Sequence, residues 1–172
     1  MALNLKKITD WLMTILLAVL LSLAIRTYVA EARWIPSESM LPTLRIGDHL
    51  IIEKISYKFG AIDRGDIVVF KAPPASHLEE VMIKRVIALP GETVSIKDGV
   101  VYINGNPLEE PYELEKPRED FEPVTVPENS IFVMGDNRNN SFDSRFWGVL
   151  EKDLVIGKAF ARYYPLGSAS IL

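Results

Sequence analysis

The chain has 172 residues, with 23 acidic and 19 basic side chains and a net charge of −4. That size suits one ordinary domain plus an appendage, and the balance lacks the basic stripe a nucleic-acid partner requires. There is no cysteine and there are two histidines, His49 and His77, which excludes disulfides and thiolate sites and leaves too little for a metal centre, so no metal, cofactor or nucleic acid is expected.

The first element is apolar. Residues Trp11 to Ile25 carry no charge, and the run extends from Ile8 to Ala30 with only Asp10 and Arg26 added near its ends. About 20 helical residues at ~1.5 Å each cover a ~30 Å hydrocarbon core, so a transmembrane helix is expected. Lys6 and Lys7 precede it, which by the positive-inside rule leaves the N-terminus in the cytoplasm and the rest beyond the membrane. A cleavable signal peptide is the rival reading, because a basic start, an apolar core and Ala30-Glu31-Ala32 form the same three-part pattern. Arg26 sits where that pattern is normally neutral, and a retained anchor is preferred.

From residue 45 the pattern is β. Segments 49–55, 66–72, 81–89, 93–96, 100–103, 130–135 and 154–164 are short and rich in β-branched and aromatic residues. Arg64-Gly65-Asp66, Pro90-Gly91, Asp98-Gly99 and Asn104-Gly105 supply turns between them. The clearest hairpin is 93–105, with Asp98-Gly99 suited to positive φ. No helical periodicity appears beyond the anchor, so a mostly β fold is expected, an antiparallel barrel or sandwich. Residues 106–123 hold four prolines and seven acids and read as a surface loop without core or site residues. Residues 72–80 read as a second loop.

Three segments carry candidate chemistry. In 34–44, "WIPSESMLPTL", Pro36 and Pro42 bracket Ser37 and Ser39. Fixed φ angles there suit either a plain turn out of the membrane or an aimed nucleophile. A serine nucleophile needs a base. His49 and His77 belong to no recognisable triad segment. Lys84, in "VMIKRVIAL", shares its strand face with Met82 and Val86. A lysine there is either at a sheet edge with its head in water or desolvated, and desolvation lowers its pKa toward a usable base. In 135–148, "GDNRNNSFDSRFWG", Asp136, Asp143 and Arg145 lie among serines. That stretch is either a polar loop or a support in which an Asp143–Arg145 pair stiffens the chain and Ser141 orients a neutral lysine.

Together, Pro-Ser-x-Ser-Met-x-Pro-Thr-Leu, Lys-Arg-Val and Gly-Asp-Asn-Arg-x-x-Ser-x-Asp-Ser-Arg-x-x-Gly, in this order behind an anchor, resemble the type I signal peptidases, over residues 1 to about 164. The resemblance implies a membrane-anchored serine endopeptidase that removes signal peptides from exported preproteins, cutting after small residues through a Ser-Lys dyad and an acyl-enzyme. It implies Ser39 as nucleophile and Lys84 as general base. Ser37 would join the Ser39 backbone N–H in the oxyanion hole, Ser141 would orient the lysine, and Asp143 with Arg145, and Asp136, would support them.

On this reading residues 1–30 form the cytoplasmic N-terminus and anchor, and 31–172 the extracytoplasmic β catalytic domain of a single-pass plasma-membrane protein. Its partners would be preproteins and the lipid bilayer, on which an exposed apolar surface rests, with Trp34 and Ile35 seated in the interface. Two departures stand out: Glu38 lies where glycine is common, and "ALPGE" replaces the usual Gly-x-Pro-Gly-Asp. The alternatives are a non-catalytic membrane-anchored β-domain binding module and a Ser-Lys repressor-type protease. The latter carries a DNA-binding domain that the anchor and negative charge argue against. Ala30-Glu31-Ala32 also meets the small-residue rule, so self-cleavage is an open possibility.

Overall fold

The computed structural model describes residues 5–172; residues 1–4 of the expected cytoplasmic segment lie outside the described residues. Helix α1 (Leu5–Tyr28) has no polar face. Its span Lys7–Tyr28 is long and apolar enough to cross a membrane, and its apolar window is not buried against protein, so lipid is the solvent that suits it.

One residue later strand β1 (Ala30–Trp34) begins. It pairs antiparallel with β2 (His49–Glu53), from Ala30 opposite Glu53 to Trp34 opposite His49. Ala30, the expected end of the anchor, and Glu31-Ala32, part of the rival cleavage site, therefore open a sheet strand, and Glu31 in it binds Lys54 at 2.7 Å. The helical turn α2 (Ser56–Phe59) leads to β3 (Ile67–Lys71) and β4 (Val81–Ala88). The strands β5 (Thr93–Lys97), β6 (Val100–Ile103), β7 (Asn106–Pro107) and β8 (Phe121–Thr125) follow. The chain closes with β9 (Ser130–Met134), the turn α3 (Ser144–Trp147), β10 (Leu150–Glu151), β11 (Val155–Tyr164) and β12 (Ser170–Ile171).

These strands form two sheets, and every pairing within them is antiparallel. The larger runs β1-β2-β11-β3-β4-β9-β10, with β12 added to β11; the smaller runs β7-β6-β5-β8. The architecture is sandwich-like rather than one closed barrel. Asp98 and Gly99 (φ 51° and 75°) and Asn104 and Gly105 (φ 51° and 79°) turn the β5–β6 and β6–β7 hairpins, both residues of each loop left-handed as type I′ turns demand.

The larger sheet is covered on both faces, which is why β3 opens with four successive buried apolar residues, Ile67 to Phe70, rather than an alternation. Ile67, Val69 and Ile83 point into a cluster with Met40, Leu44 and Leu50. Val68, Phe70, Met82 and Val86 point the other way, against Ile131, Val133 and Trp147. A third cluster joins the sheets, with Ile87, Phe132 and Met134 meeting Val94, Ile96 and Val101. Fully burying each such side chain stabilises by roughly 1.5–3 kcal/mol.

Two expectations are corrected here. Residues 106–123 are not a free surface loop. Leu108, Tyr112 and Phe121 pack against the third cluster, Pro117 is buried, and Phe121 opens strand β8. Ile35 does not reach an interface, because its side chain, 2% exposed, belongs to the core, whereas Trp34 is 61% exposed.

Gly157 lies where β11 passes β2 so closely that a Cβ would strike the Glu53 carbonyl. Gly157→Ala is expected to lower the unfolding free energy by about 1–3 kcal/mol, read by denaturant titration of the full chain in detergent. Gly167→Ala, with nothing near its would-be Cβ, is the control. Equal stability of the two variants would show that the close approach is not what demands glycine.

Candidate active site

The strand β1 leads straight into the serine segment, and the core fixes that segment from below. Ile35 exchanges backbone hydrogen bonds with Asp48 and Gly47, each 2.9 Å. Met40 and Leu44 are fully buried, and Asp48 accepts from the Arg45 N–H and from Arg162, both at 2.9 Å. Between these fixed points Ser37 and Glu38 are exposed and Ser39 is buried.

The far side of the turn is gripped by 136–140. The Asn137 N–H donates to the Ser39 carbonyl at 3.1 Å. Its side-chain amide donates to the Glu38 carbonyl, also at 3.1 Å. One residue thus holds both carbonyls that flank Ser39. Thr43 Oγ1 donates to Asp136 Oδ2 at 2.6 Å.

Lys84 meets this turn from β4, opposite Val68 of β3. Only 4% of it is exposed. Its Nζ donates to Ser39 Oγ and to its neighbour's Ile83 carbonyl, each at 2.9 Å. Burial pushes the ammonium down to about 8, against the opposing pull of the Asp143 and Glu80 carboxylates. The desolvated alternative for this lysine is the one found. Ser37 Oγ lies 3.3 Å from Ser39 Oγ. This gives a serine hydroxyl, an amine that sheds its proton near neutral pH, and a second hydroxyl alongside.

The support is a set of buried, compensated charges. Arg85, next to Lys84, grips Asp136 with two bonds of 2.7 and 2.8 Å, and the Tyr112 ring stacks 4.0 Å from its guanidinium carbon. Asp143 binds Arg145 through both oxygens, each at 2.8 Å. It also accepts the Gly135 N–H at 3.0 Å. Arg145 further donates to the Arg138 carbonyl at 2.6 Å. Ser141 is half-buried, with its Oγ turned away from solvent, beside Gly135, where an added Cβ would strike both Ser141 Oγ and the Ser39 carbonyl. Its hydroxyl makes no hydrogen bond; the expected Ser141–Lys84 bond is not formed, and Lys84 bonds Ser39 and Ile83 instead.

The structure therefore brings together Ser37, Ser39, Lys84, Ser141, Asp143, Arg145 and Asp136. His49 packs edge-on to Tyr163 and Tyr164, His77 is exposed in a loop, and neither bonds Ser39. Among the described residues no group of three or more His, Cys, Asp or Glu is placed to hold a metal.

Sequence reasoning missed Asn137, Thr43, Tyr112 and Glu110. Glu110 sits in the acid-rich stretch and holds the fully buried Arg138 through two bonds of 2.7 Å, while Arg138 Nε donates to the Gly135 carbonyl at 3.0 Å. Alternating acids and prolines resemble a solvated loop, and the only available signal was Arg138 itself, a cation inside a candidate motif with no local partner.

A cavity of about 460 Å³ opens beside the turn, lined in part by Trp34, Ile35, Pro36, Val69, Met82 and Ile83. It ends where Pro36 and Ile83 hand over to the Ser37–Ser39 turn and Lys84.

Comparisons with known proteins identify the family. The family model described as "Signal peptidase, peptidase S26" matches residues 8–164. A signal peptidase I of Leptolyngbya laminosa is 54% identical over 158 residues, 89% of this chain and 78% of the relative. A probable signal peptidase I-2 of Synechocystis sp. is 48% identical over 92% of this chain and 74% of its own length. A crystal structure of a signal peptidase I from Enterococcus faecalis superimposes with a TM-score of 0.50 at 36% identity, covering 57% of this chain and 96% of the other.

Removing one partner of a buried ion pair typically costs ~3–5 kcal/mol. Glu110→Ala is expected to lose stability in that range. Arg118→Ala, from the exposed Arg118–Glu115 pair, should change it by less than about 1 kcal/mol. Denaturant titration of both variants decides; equal effects would mean that the 106–123 stretch does not support the site.

Proposed function

The chain belongs to the signal peptidase family, peptidase S26, and we propose that Ser39 and Lys84 are the pair through which this serine peptidase removes signal peptides. The observation that carries the assignment is the 2.9 Å contact between Lys84 Nζ and Ser39 Oγ, made where no histidine is within reach of the serine. Neutral Lys84 takes the Ser39 proton as Oγ attacks the scissile carbonyl, and returns it to the leaving amine. The oxyanion that forms is met by the Ser39 N–H and the Ser37 hydroxyl. Losing one such donor typically costs ~10²–10³ in rate. Asn137 takes a positioning role, because the carbonyl it binds belongs to the same peptide unit as the Ser39 N–H. Hydrogen bonding at that oxygen both orients the N–H and strengthens it as a donor.

Once Ser39 carries the acyl group, Lys84 loses its hydroxyl acceptor. Ser141, whose Oγ is shielded from solvent and without a partner, is then the available hydroxyl to hold the amine while it activates water. Asp143, Arg145 and Asp136 act through the backbone they fix.

The 460 Å³ cavity takes the residues before the cut as an extended chain. Ile35, Met82 and Ile83 give it apolar walls, a lining that suits small side chains such as alanine at the positions one and three before the bond. Anchored by α1, the protein presents this cavity to precursors held in the same membrane. Lys6 and Lys7 argue for a cytoplasmic N-terminus and a catalytic domain, residues 31–172, on the opposite side. The plasma membrane is the proposed location. A thylakoid membrane is the second setting, favoured by the cyanobacterial relatives.

In cleavage assays of a purified preprotein in detergent, wild type is expected to cut after Ala-x-Ala. Ser39→Ala and Lys84→Ala should each lose on the order of 10⁴-fold or more while staying folded. A well-folded wild type that cuts no preprotein would favour a non-catalytic binding module instead, and cleavage surviving in both variants would place the catalytic pair elsewhere. A second outcome concerns pH. The working form of Lys84 is neutral, and its ammonium gives up the proton at about 8. The rate should therefore rise roughly tenfold per pH unit below 8 and level off above it. Folding disfavours the same ammonium, so its contribution to stability runs in the same direction: destabilising below pH 8 and relieved as pH climbs from there toward the ordinary lysine range. A flat rate profile between pH 6 and 9, with chemistry rate-limiting, would sink the lysine-base assignment.

A further inference from the structure

The groups around the reacting bond are almost all matched. Arg85 is bound by Asp136, Arg145 by Asp143, and Arg138 by Glu110 and Glu113. Glu38 is different. It lies between Ser37 and Ser39, is exposed, and enters no ion pair among the described residues. Its carboxylate is aimed rather than free: Asn140 donates to Oε2 at 3.3 Å, and the Glu38 carbonyl is held by Asn137.

Its position relative to the cut follows from the cavity. The residues before the scissile bond occupy the recess lined by Trp34 to Pro36 and by Met82 and Ile83, and none of Glu38, Asn137, Asn140 or Ser141 lines it. A chain that fills that recess and places its carbonyl over Ser39 must leave across the opposite flank. On that flank lie Glu38 and the Asn140 that holds it, and the Glu38 charge has no ion-pair partner among the described residues.

We propose that Glu38 is a specificity-determining residue for the first residues after the cut, favouring a basic side chain there and disfavouring an acidic one. The inference rests on Ser39 as the nucleophile, since Ser39 fixes which flank is which. One aimed carboxylate beside the cut discriminates by charge, but the group is exposed, so the effect is modest and falls with salt.

The test uses the full chain in detergent and two peptide substrates that are identical through an Ala-x-Ala site. They differ only in carrying Lys or Glu at the first two positions after it. For wild type, kcat/KM is expected to favour the Lys substrate by about fivefold, with the ratio shrinking between 0.05 and 0.5 M salt. Glu38→Gln should bring the ratio to near one, and Glu38→Lys should invert it. A role confined to holding the turn would change both substrates by the same factor and leave the ratio alone. A wild-type ratio near one, or a ratio unmoved in both variants, overturns the proposal. Ser39→Ala separates the two levels: if it still cuts, the assignment of the nucleophile fails, and the inference about Glu38 fails with it.

Discussion

The structure is organised around keeping water away from one amine. Lys84 is 4% exposed, and an ammonium in that setting is disfavoured strongly enough to bring its proton loss down to about 8. Such burial requires a strand covered on both faces. This is why β4 runs through the middle of the larger sheet, with apolar clusters above and below, and not along an edge where the lysine head would reach solvent. The fold and the chemistry thus meet in one requirement, and most of the hydrophobic core serves it.

The same low-polarity setting explains the company the lysine keeps. The carboxylates of Asp136 and Asp143 are wholly buried, and an unmatched carboxylate so near would hold the amine protonated. Each is instead bound bidentately by an arginine, Arg85 or Arg145. Buried pairs of this kind add little net stability, because desolvation offsets the attraction. Their contribution is geometric. They leave the 135–145 backbone one arrangement in which Gly135 tolerates the close approach of Ser39 and Asn137 holds the turn.

Much of this was legible in the chain. The strand that carries Lys84 is a β-branched run of the right length, the paired prolines mark a stiffened serine turn, and Asp143 with Arg145 announces a local ion pair. What could not be read were contacts joining distant segments without periodicity. Nothing near Glu110 shows that it belongs under Arg138, because its neighbours have the composition of a solvated loop. Nothing in Asn137 distinguishes it from any turn asparagine until the fold brings Ser39 beside it. β1 was hidden for a simpler reason: Ala30 and Ala32 continue the apolar anchor in composition, and only pairing with β2 makes them a strand. Ile35 looked like a neighbour of Trp34 in the interface, but strand alternation sends adjacent side chains to opposite faces, and one of the two is core.

The joint between α1 and β1 has a consequence of its own. A single residue, Val29, separates helix from sheet. Its carbonyl accepts the Lys54 N–H at 2.8 Å, and Lys54 Nζ ties back to the Arg26 carbonyl at 3.0 Å. A tether this short and this well bonded gives the domain no slack to wander from the helix that carries it. With α1 in the membrane as proposed, the helix and the Ser39 turn form one gauge whose zero is the lipid surface. On that proposal, selection has a spatial part beside the chemical one: a polypeptide is read not only for small side chains in the right order, but for how far above the membrane it presents them.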